Sequence, residues 1–317
     1  GNGIYKSIDG GLSWDSLDVT ATNTNGFDSD FDFVWNIETD ASNDSLDVIY
    51  AAVYSSIYKS DNGGSSWTRV LGGGSAYYTN VEITSNGVVY ATLSSDGTDR
   101  GIWKSTDGQN WINITDSLFA SVYGRIAIGI NPSNEDEVYF LAAETDGFGQ
   151  QTNVFFNGQT WTSLWKYDAS NSSWVDLSLN IPANQNTSFD NFNAQGGYDL
   201  LVKVHPSEPN TVYIGGTNLW RSSDGFTSSN NTMIIGGYYI GSSEGDGNWG
   251  VYPNHHPDQH DILFLPSNDS IVLSATDGGV YKSYDTFADT VNWTSLNNGY
   301  YTCLLYTSDA ADDNAGV

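Results

Sequence analysis

Three of the four histidines fall within one short stretch, PNHHPDQHDILF (253–264), and two aspartates sit among them. His256, Asp258 and His260 alternate, so in an extended segment they point to one side. Two imidazoles and a carboxylate on one side suit a divalent ion such as zinc, proton transfer, or a hydrogen-bonded polar network. Pro257 bends the segment, and the spacing favours the polar network over the metal. A second acidic stretch, DSDFD (28–32), offers carboxylates to calcium but lacks the glycine turn of a standard calcium loop. It reads as solvated loop. No cofactor is required by any of these residues; zinc or calcium is the ion they would take.

The charge balance narrows the partners. The 317 residues carry 38 acidic and 10 basic side chains, a formal net charge of -28. Nucleic acid and anionic membrane surfaces both need a surplus of Lys and Arg that this chain lacks. Sialidase chemistry needs an arginine cluster for a substrate carboxylate, and only Arg69, Arg100, Arg125 and Arg221 are present. Of these, only Arg125 stands where an innermost strand would begin. Insertion into a membrane through a helix is not expected, because no apolar run approaches the length a spanning helix needs. The single cysteine, Cys303, cannot form an internal disulfide, so burial and backbone pairing must hold the fold.

The elements that position these residues come from a repeat. GIYKSIDGGLSW (3–14) is followed by SIYKSDNGGSSW (56–67) and GIWKSTDGQNW (101–111), with weaker copies at 163–174, 218–226 and 279–293. The key positions are Ser7, Asp9, Gly11 and Trp14, then Ser60, Gly64 and Trp67, then Ser105, Asp107 and Trp111, with Ser222, Asp224, Ser283 and Asp285 in the later copies. Ser and Asp side chains can bond nearby backbone and fix a turn, and glycine permits positive φ. These residues read as structural. Runs such as DVIYAAVY (47–54), GVVYATL (87–93) and TVYIGG (211–216) precede the copies and read as strands. Four antiparallel strands per unit of some fifty residues predict an all-β propeller. About six blades are expected over residues 1–302, as part of a truncated ring of seven or more that is incomplete at both ends. The tail CLLYTSDAADDNAGV (303–317) breaks the pattern and reads as a non-native read-through segment.

In such blades strand one lines the channel, and the repeat turns all lie on the opposite face from the lead-in to strand one. Aligning Pro266 with Pro206 and Pro132 puts His260 at the start of an innermost strand. Tyr198 and Asp199 then stand at almost the same height in the neighbouring blade. Asn218 and Asp277 come from hairpins on the same face. Long insertions at roughly 144–162, 180–197 and 226–255 decorate it and carry Phe148, Phe155, Phe156, Trp161, Phe189, Phe192, Tyr238, Tyr239, Trp249 and Tyr252. Loops on a rigid scaffold are where function usually sits, and these aromatics either stack on a ligand or pack the loops down.

The repeat resembles the Asp-box, or bacterial neuraminidase repeat, S-x-D-x-G-x-x-W. The segments GGYDLLVKVHPSEPNTVYIGGTNLWRSSDG, HHPDQHDILFLP and TDGGVYKSYD resemble large secreted bacterial propellers of the sortilin type, many of which carry a type IX secretion tail. In that group an H-x-D-x-H stretch precedes a D-G-G hairpin, here His256, Asp258, His260 and Asp277. The repeats are also similar to those of xyloglucan-cleaving propeller hydrolases. The resemblance implies a secreted or cell-surface protein.

Two functions follow. The first is a non-catalytic binding module recognising a polysaccharide, peptide or protein through Tyr198, Asn218, His256, His260, Trp161 and Trp249. The second is a glycoside hydrolase, which needs two carboxyl groups facing a glycosidic bond, one with a raised pKa. Asp258, Asp277 and Asp199 are its candidates. A purely structural propeller within an adhesin is a third reading.

Overall fold

The computed structural model describes residues 3–299, except 23, 25, 44, 156–157, 184–187 and 240–249. Trp249, Phe156 and the 303–317 tail therefore lie outside the described residues. The chain opens with a two-stranded sheet, β1 (Tyr5–Lys6) and β2 (Asp15–Ser16). The first blade is β3 (Val34–Thr39), β4 (Ile49–Val53), β5 (Ser56–Ser60) and β6 (Thr68–Gly72). The second is β7 (Thr79–Ile83), β8 (Val89–Leu93), β9 (Gly101–Ser105) and β10 (Ile112–Asn113). The third holds β11 (Ile126–Ile130), β12 (Glu137–Ala143), β13 (Gln150–Val154), β14 (Gly158–Asp168) and β15 (Ser173–Asp176).

The fourth blade is β16 (Leu201–Val204), β17 (Val212–Gly215), β18 (Leu219–Ser222) and β19 (Thr232–Gly236). The fifth is β20 (Gln259–Leu265), β21 (Asn268–Thr276), β22 (Gly279–Ser283) and β23 (Thr294–Ser295). Each blade is an antiparallel meander in chain order. In the third, β14 outruns the blade: its start pairs with β13 and its end with β12 and β15. The insertion expected at 144–162 is thus a hairpin growing out of the blade.

The architecture is an all-β propeller. It differs from the expected count, because among the described residues five sheets have four or more strands and the first repeat copy is carried by two strands alone. The innermost strands β3, β7, β11, β16 and β20 pack side by side in chain order. The second strand of each blade explains itself by composition. IYAAV, VYATL and VYIG are β-branched, aromatic and small residues buried on both faces between neighbouring blades. The hydrophobic clusters accordingly span blade boundaries, as where Tyr90 of β8 packs with Phe140 of β12.

The repeat turns join the third and fourth strands. In the first, Gly11 N donates to Ser7 Oγ (2.8 Å), Ser13 N to Asp9 Oδ1 (2.9 Å) and Trp14 Nε1 to the Gly11 carbonyl (3.2 Å). The second repeats this with Asn62 in place of the aspartate. Gly64 N donates to Ser60 Oγ, Ser66 N to Asn62 Oδ1 and Trp67 Nε1 to the Gly64 carbonyl. Asn works because only an acceptor oxygen is needed. In the third, Gly108 N reaches Ser105 Oγ and Asn110 N reaches Asp107 Oδ1. In the fifth copy, at 218–226, Phe226 N bonds Ser222 Oγ, and Ser228 Oγ bonds Asp224. In the sixth, at 279–293, Asp285 N bonds Ser283 Oγ, and Phe287 N bonds Asp285 Oδ1.

Candidate active site

On the face opposite these turns, the lead-ins to the innermost strands and the hairpins between second and third strands come together. The stretch 195–199 leads into β16, with Gly196 and Gly197 both at positive φ (70° and 86°), as the tight turn requires. It delivers Gln195, Tyr198 and Asp199. The stretch 255–258 leads into β20 and delivers His256 and Asp258, while His260 lies on the strand. Asp277 sits in the β21–β22 turn, where its N–H donates to the Asp258 carbonyl (3.2 Å).

Asp199 and Asp258 form a carboxyl pair. Asp199 is fully buried, whereas Asp258 is half-buried. Burial comes first in pushing Asp199 well above the usual carboxylate range, and the neighbouring charges of Asp258 and Asp277 add to it. Asp258 is also raised, again by burial first and by Asp277 next. Their mutual contact raises Asp199 and lowers Asp258, so it favours the proton on Asp199. Two further contacts fit that assignment. Gln195 Nε2 donates to Asp199 Oδ2 (2.9 Å) and to Asp258 Oδ1 (2.7 Å). Asp199 Oδ1 accepts nothing although it is buried, and a proton there removes an orphaned acceptor.

Asp277 is held separately. Its Oδ1 meets His260 Nε2 at 2.5 Å and accepts from Tyr198 Oη at 3.2 Å. The Tyr198 and His260 rings stand edge to face, 5.1 Å apart. Arg125, at the approach to β11, donates from one guanidinium nitrogen to the carbonyls of Gly197 and Tyr198 and so fixes the turn that carries Asp199. Glu144 follows β12 and packs toward Gly196, and burial raises its pKa. Gln195, Asp258 and Glu144 all hold left-handed backbone (φ 44°, 65° and 56°). Such conformations in non-glycine residues cost energy and cluster at functional sites.

The other expected residues fall as follows. His256 turns its Nδ1 to the Pro257 carbonyl (2.8 Å) and packs so tightly on Gly278 that any side chain there would overlap the ring. His255 is buried against Trp293. Its Nδ1 accepts from Gly237 N, its Nε2 meets Ser274 Oγ, and burial lowers its pKa to about 3. It is a neutral core histidine. Asn218 is buried, with its amide spent on the Phe189 carbonyl and on Tyr238 N. Trp161 lies on the extended β13–β14 hairpin opposite Gln151. Among the described residues no group of three or more His, Cys, Asp or Glu is placed to hold a metal ion. His256 Nδ1 faces the Pro257 carbonyl, Asp258 Oδ1 accepts from Gln195, and His260 Nε2 meets Asp277. The 28–32 carboxylates are also committed. Asp28 bonds Thr24, Asp30 bonds Tyr58, and Asp32 caps the turn at Ser29.

Sequence reasoning brought Asp199, Asp258, Asp277, His260 and Tyr198 to one channel mouth. It missed Gln195 and Glu144. The only local signal for Gln195 was the double glycine after it, which marks a tight turn.

No family model matches the chain. Xyloglucanase Xgh74A of Acetivibrio thermocellus is 25% identical over 214 residues, 56% of this chain and 25% of that protein. A xyloglucanase of a Paenibacillus species is 25% identical over 58% of this chain and 20% of its own length. The chain thus spans a quarter or less of these curated relatives. Among solved structures, the GH74 enzyme of Niastella koreensis superposes with a TM-score of 0.51 at 19% identity, covering 92% of this chain and 47% of that one. The likeness shows the propeller fold. No helix among the described residues is long and apolar enough to cross a membrane.

Proposed function

We propose that this propeller is a glycoside hydrolase that cleaves an uncharged polysaccharide of the xyloglucan class. The observation that carries the reading is the buried Asp199, bridged to Asp258 by Gln195, beside an Asp277 held by His260 and Tyr198. Glycosidases need one carboxyl that keeps its proton and a second carboxylate across the scissile bond. Carboxyls that share one amide nitrogen are too close to flank a sugar linkage. Asp199 and Asp258 therefore act as one unit that stores and delivers a proton to the leaving oxygen. Asp277, with His260 and Tyr198 on its Oδ1, is the opposite carboxylate. Gln195 holds the paired carboxyls in register, and Arg125 holds their turn.

The relatives support the hydrolase over the binding module, because those that match are named for an enzymatic activity. A peptide ligand draws no support from them, and neither does sortilin-type kinship or type IX export. The hydrogen bonding of the repeat turns supports an Asp-box propeller. A polysaccharide substrate implies an exported protein.

The test is reducing-end release from xyloglucan by the parent, Asp199→Asn and Asp277→Asn. Asparagine at 199 can still donate to Asp258, so the fold should survive. Each variant should lose about 10²-fold or more of kcat. Parent-like turnover in both would sink the assignment.

A further inference from the structure

Six aromatic rings on the first and second blades form one contact network that the insertions do not explain. Phe27 meets Phe33 (5.6 Å) and Tyr54 (4.8 Å). Phe33 meets Trp35 (6.0 Å, near-parallel) and Tyr77 (5.7 Å). Trp35 and Tyr77 in turn meet Tyr78, each at 4.8 Å. Phe27, Phe33 and Tyr77 remain 53%, 38% and 39% exposed, unlike the rings that pack the blades. Single exposed apolar side chains are normal on a protein surface. A contiguous ring surface marks an interaction site.

Topology puts this surface on the same face as the carboxyl groups. Phe33 and Trp35 stand at the start of β3, Tyr77 and Tyr78 lead into β7, and Tyr54 lies in the β4–β5 turn. Those are the places that carry Asp258, Asp199 and Asp277 in the fourth and fifth blades. The two regions also touch, since Tyr78 Oη donates to the Gly196 carbonyl (3.3 Å) in the turn that presents Asp199. Trp35 Nε1 donates to the Tyr77 carbonyl (2.8 Å), which fixes the indole relative to the tyrosines.

We propose that these rings are a stacking platform for an uncharged polysaccharide backbone, extending the carboxyl site across the second and first blades. The inference rests on the glycoside-hydrolase reading. A pyranose ring has an apolar C–H face that packs on aromatic faces and a hydroxyl rim that needs polar partners. Asp96, whose carboxylate accepts from Tyr77 N, supplies an acceptor at the edge of the platform. The net charge of -28 repels polyanions, which favours a neutral glycan over an acidic one. The ligand then runs toward the first and second blades, away from the long insertions of the third and fourth.

The insertion aromatics are used otherwise. Phe189 and Phe192 are buried, Phe148 stacks on Trp165 (6.0 Å, 12°), and Phe155 packs on Phe189 and Tyr238.

The test is affinity electrophoresis of the chain in gels containing xyloglucan or an unbranched β-glucan, with reducing-end release measured in parallel. Phe33→Ala/Tyr77→Ala should weaken retardation about tenfold or more, as loss of central aromatic anchors does. Phe27→Ala, at the most exposed ring, covers the case in which the double variant fails to fold, and should weaken it measurably. Trp35→Phe should bind like the parent. Retardation that depends on these rings without cleavage would keep the platform and remove the hydrolase. Cleavage with retardation unchanged in Phe33→Ala/Tyr77→Ala and in Phe27→Ala would remove the platform and keep the hydrolase. A parent retarded by neither polymer overturns the platform.

Discussion

At the scale of single residues, the decisive feature is a carboxyl group stored where it is expensive. Asp199 is fully buried beside two other aspartates, and its pKa in the folded chain lies well above its ordinary value. Linkage then fixes the sign of a stability effect. Below the unfolded pKa both states carry the proton and the group costs nothing. As pH rises toward the folded value, the unfolded chain loses the proton first and folding becomes less favourable. Asp199→Asn removes that penalty. The variant should gain thermal stability relative to the parent at pH 8 and show little difference at pH 4, while losing activity. Equal melting shifts at both pH values would contradict the buried proton. The positions of Asp199, Asp258 and Asp277 were legible in the sequence because strand order alone brings them to one mouth. Their pairing was not, because it depends on Gln195 reaching 63 residues along the chain to Asp258. The histidines were the louder signal and the weaker guide. His255 went to the core, and His256 went to a backbone carbonyl.

At the scale of elements, the repeat turn was the most legible feature, because its hydrogen bonds are local and its residue types specify them. What the sequence could not grade was how much each copy contributes. Ser60 is fully buried, and its Oγ accepts from Asn62 N and Gly64 N while donating to Asn62 Oδ1. Ser7 makes the same pattern in an exposed setting, where water replaces lost partners. Ser60→Ala strands a buried N–H and should cost about 1–3 kcal/mol, lowering the melting temperature by several degrees in scanning calorimetry. Ser7→Ala should shift it by much less. Comparable losses at the two positions would show that burial does not set the value of the motif. The β13–β14 extension and the ring network on the first two blades were the elements least visible. The hairpin's strands alternate polar residues with no apolar run, and the rings lie 42 or more residues apart between Trp35 and Tyr77.

At the scale of the whole molecule, the question is what ties the blades across the channel. One answer is Lys203 on β16. Its ammonium lies 3.1 Å from Glu82 on β7 and 3.8 Å from Asp261 on β20, joining the fourth blade to the second and the fifth. Glu38 on β3 stands in the same field, and its pKa is pushed up to about 8, by burial first and then by the Glu82 charge, with Lys203 opposing. Three acidic groups and one cation leave the cluster short of positive charge. Burial and the Glu82 charge thus favour the neutral form of Glu38. Its folded pKa is raised, so its favourable contribution is complete below the ordinary carboxylate range and fades as pH rises through about 8. Chain stability should therefore fall from about pH 5 to about pH 8, and Glu38→Gln should flatten that fall. Lys203→Met leaves Glu82 and Asp261 without their counter-charge. Breaking a fully buried pair costs about 3–5 kcal/mol; with Lys203 30% and Glu82 18% exposed, the loss should be about 2–4 kcal/mol by that scale. Urea unfolding of the two variants at pH 6 and pH 9 separates the claims. A pH-independent parent would show that the blades are held by their apolar interfaces alone. A parent destabilised in alkali and rescued by Glu38→Gln would show that the channel charges couple the ring to pH.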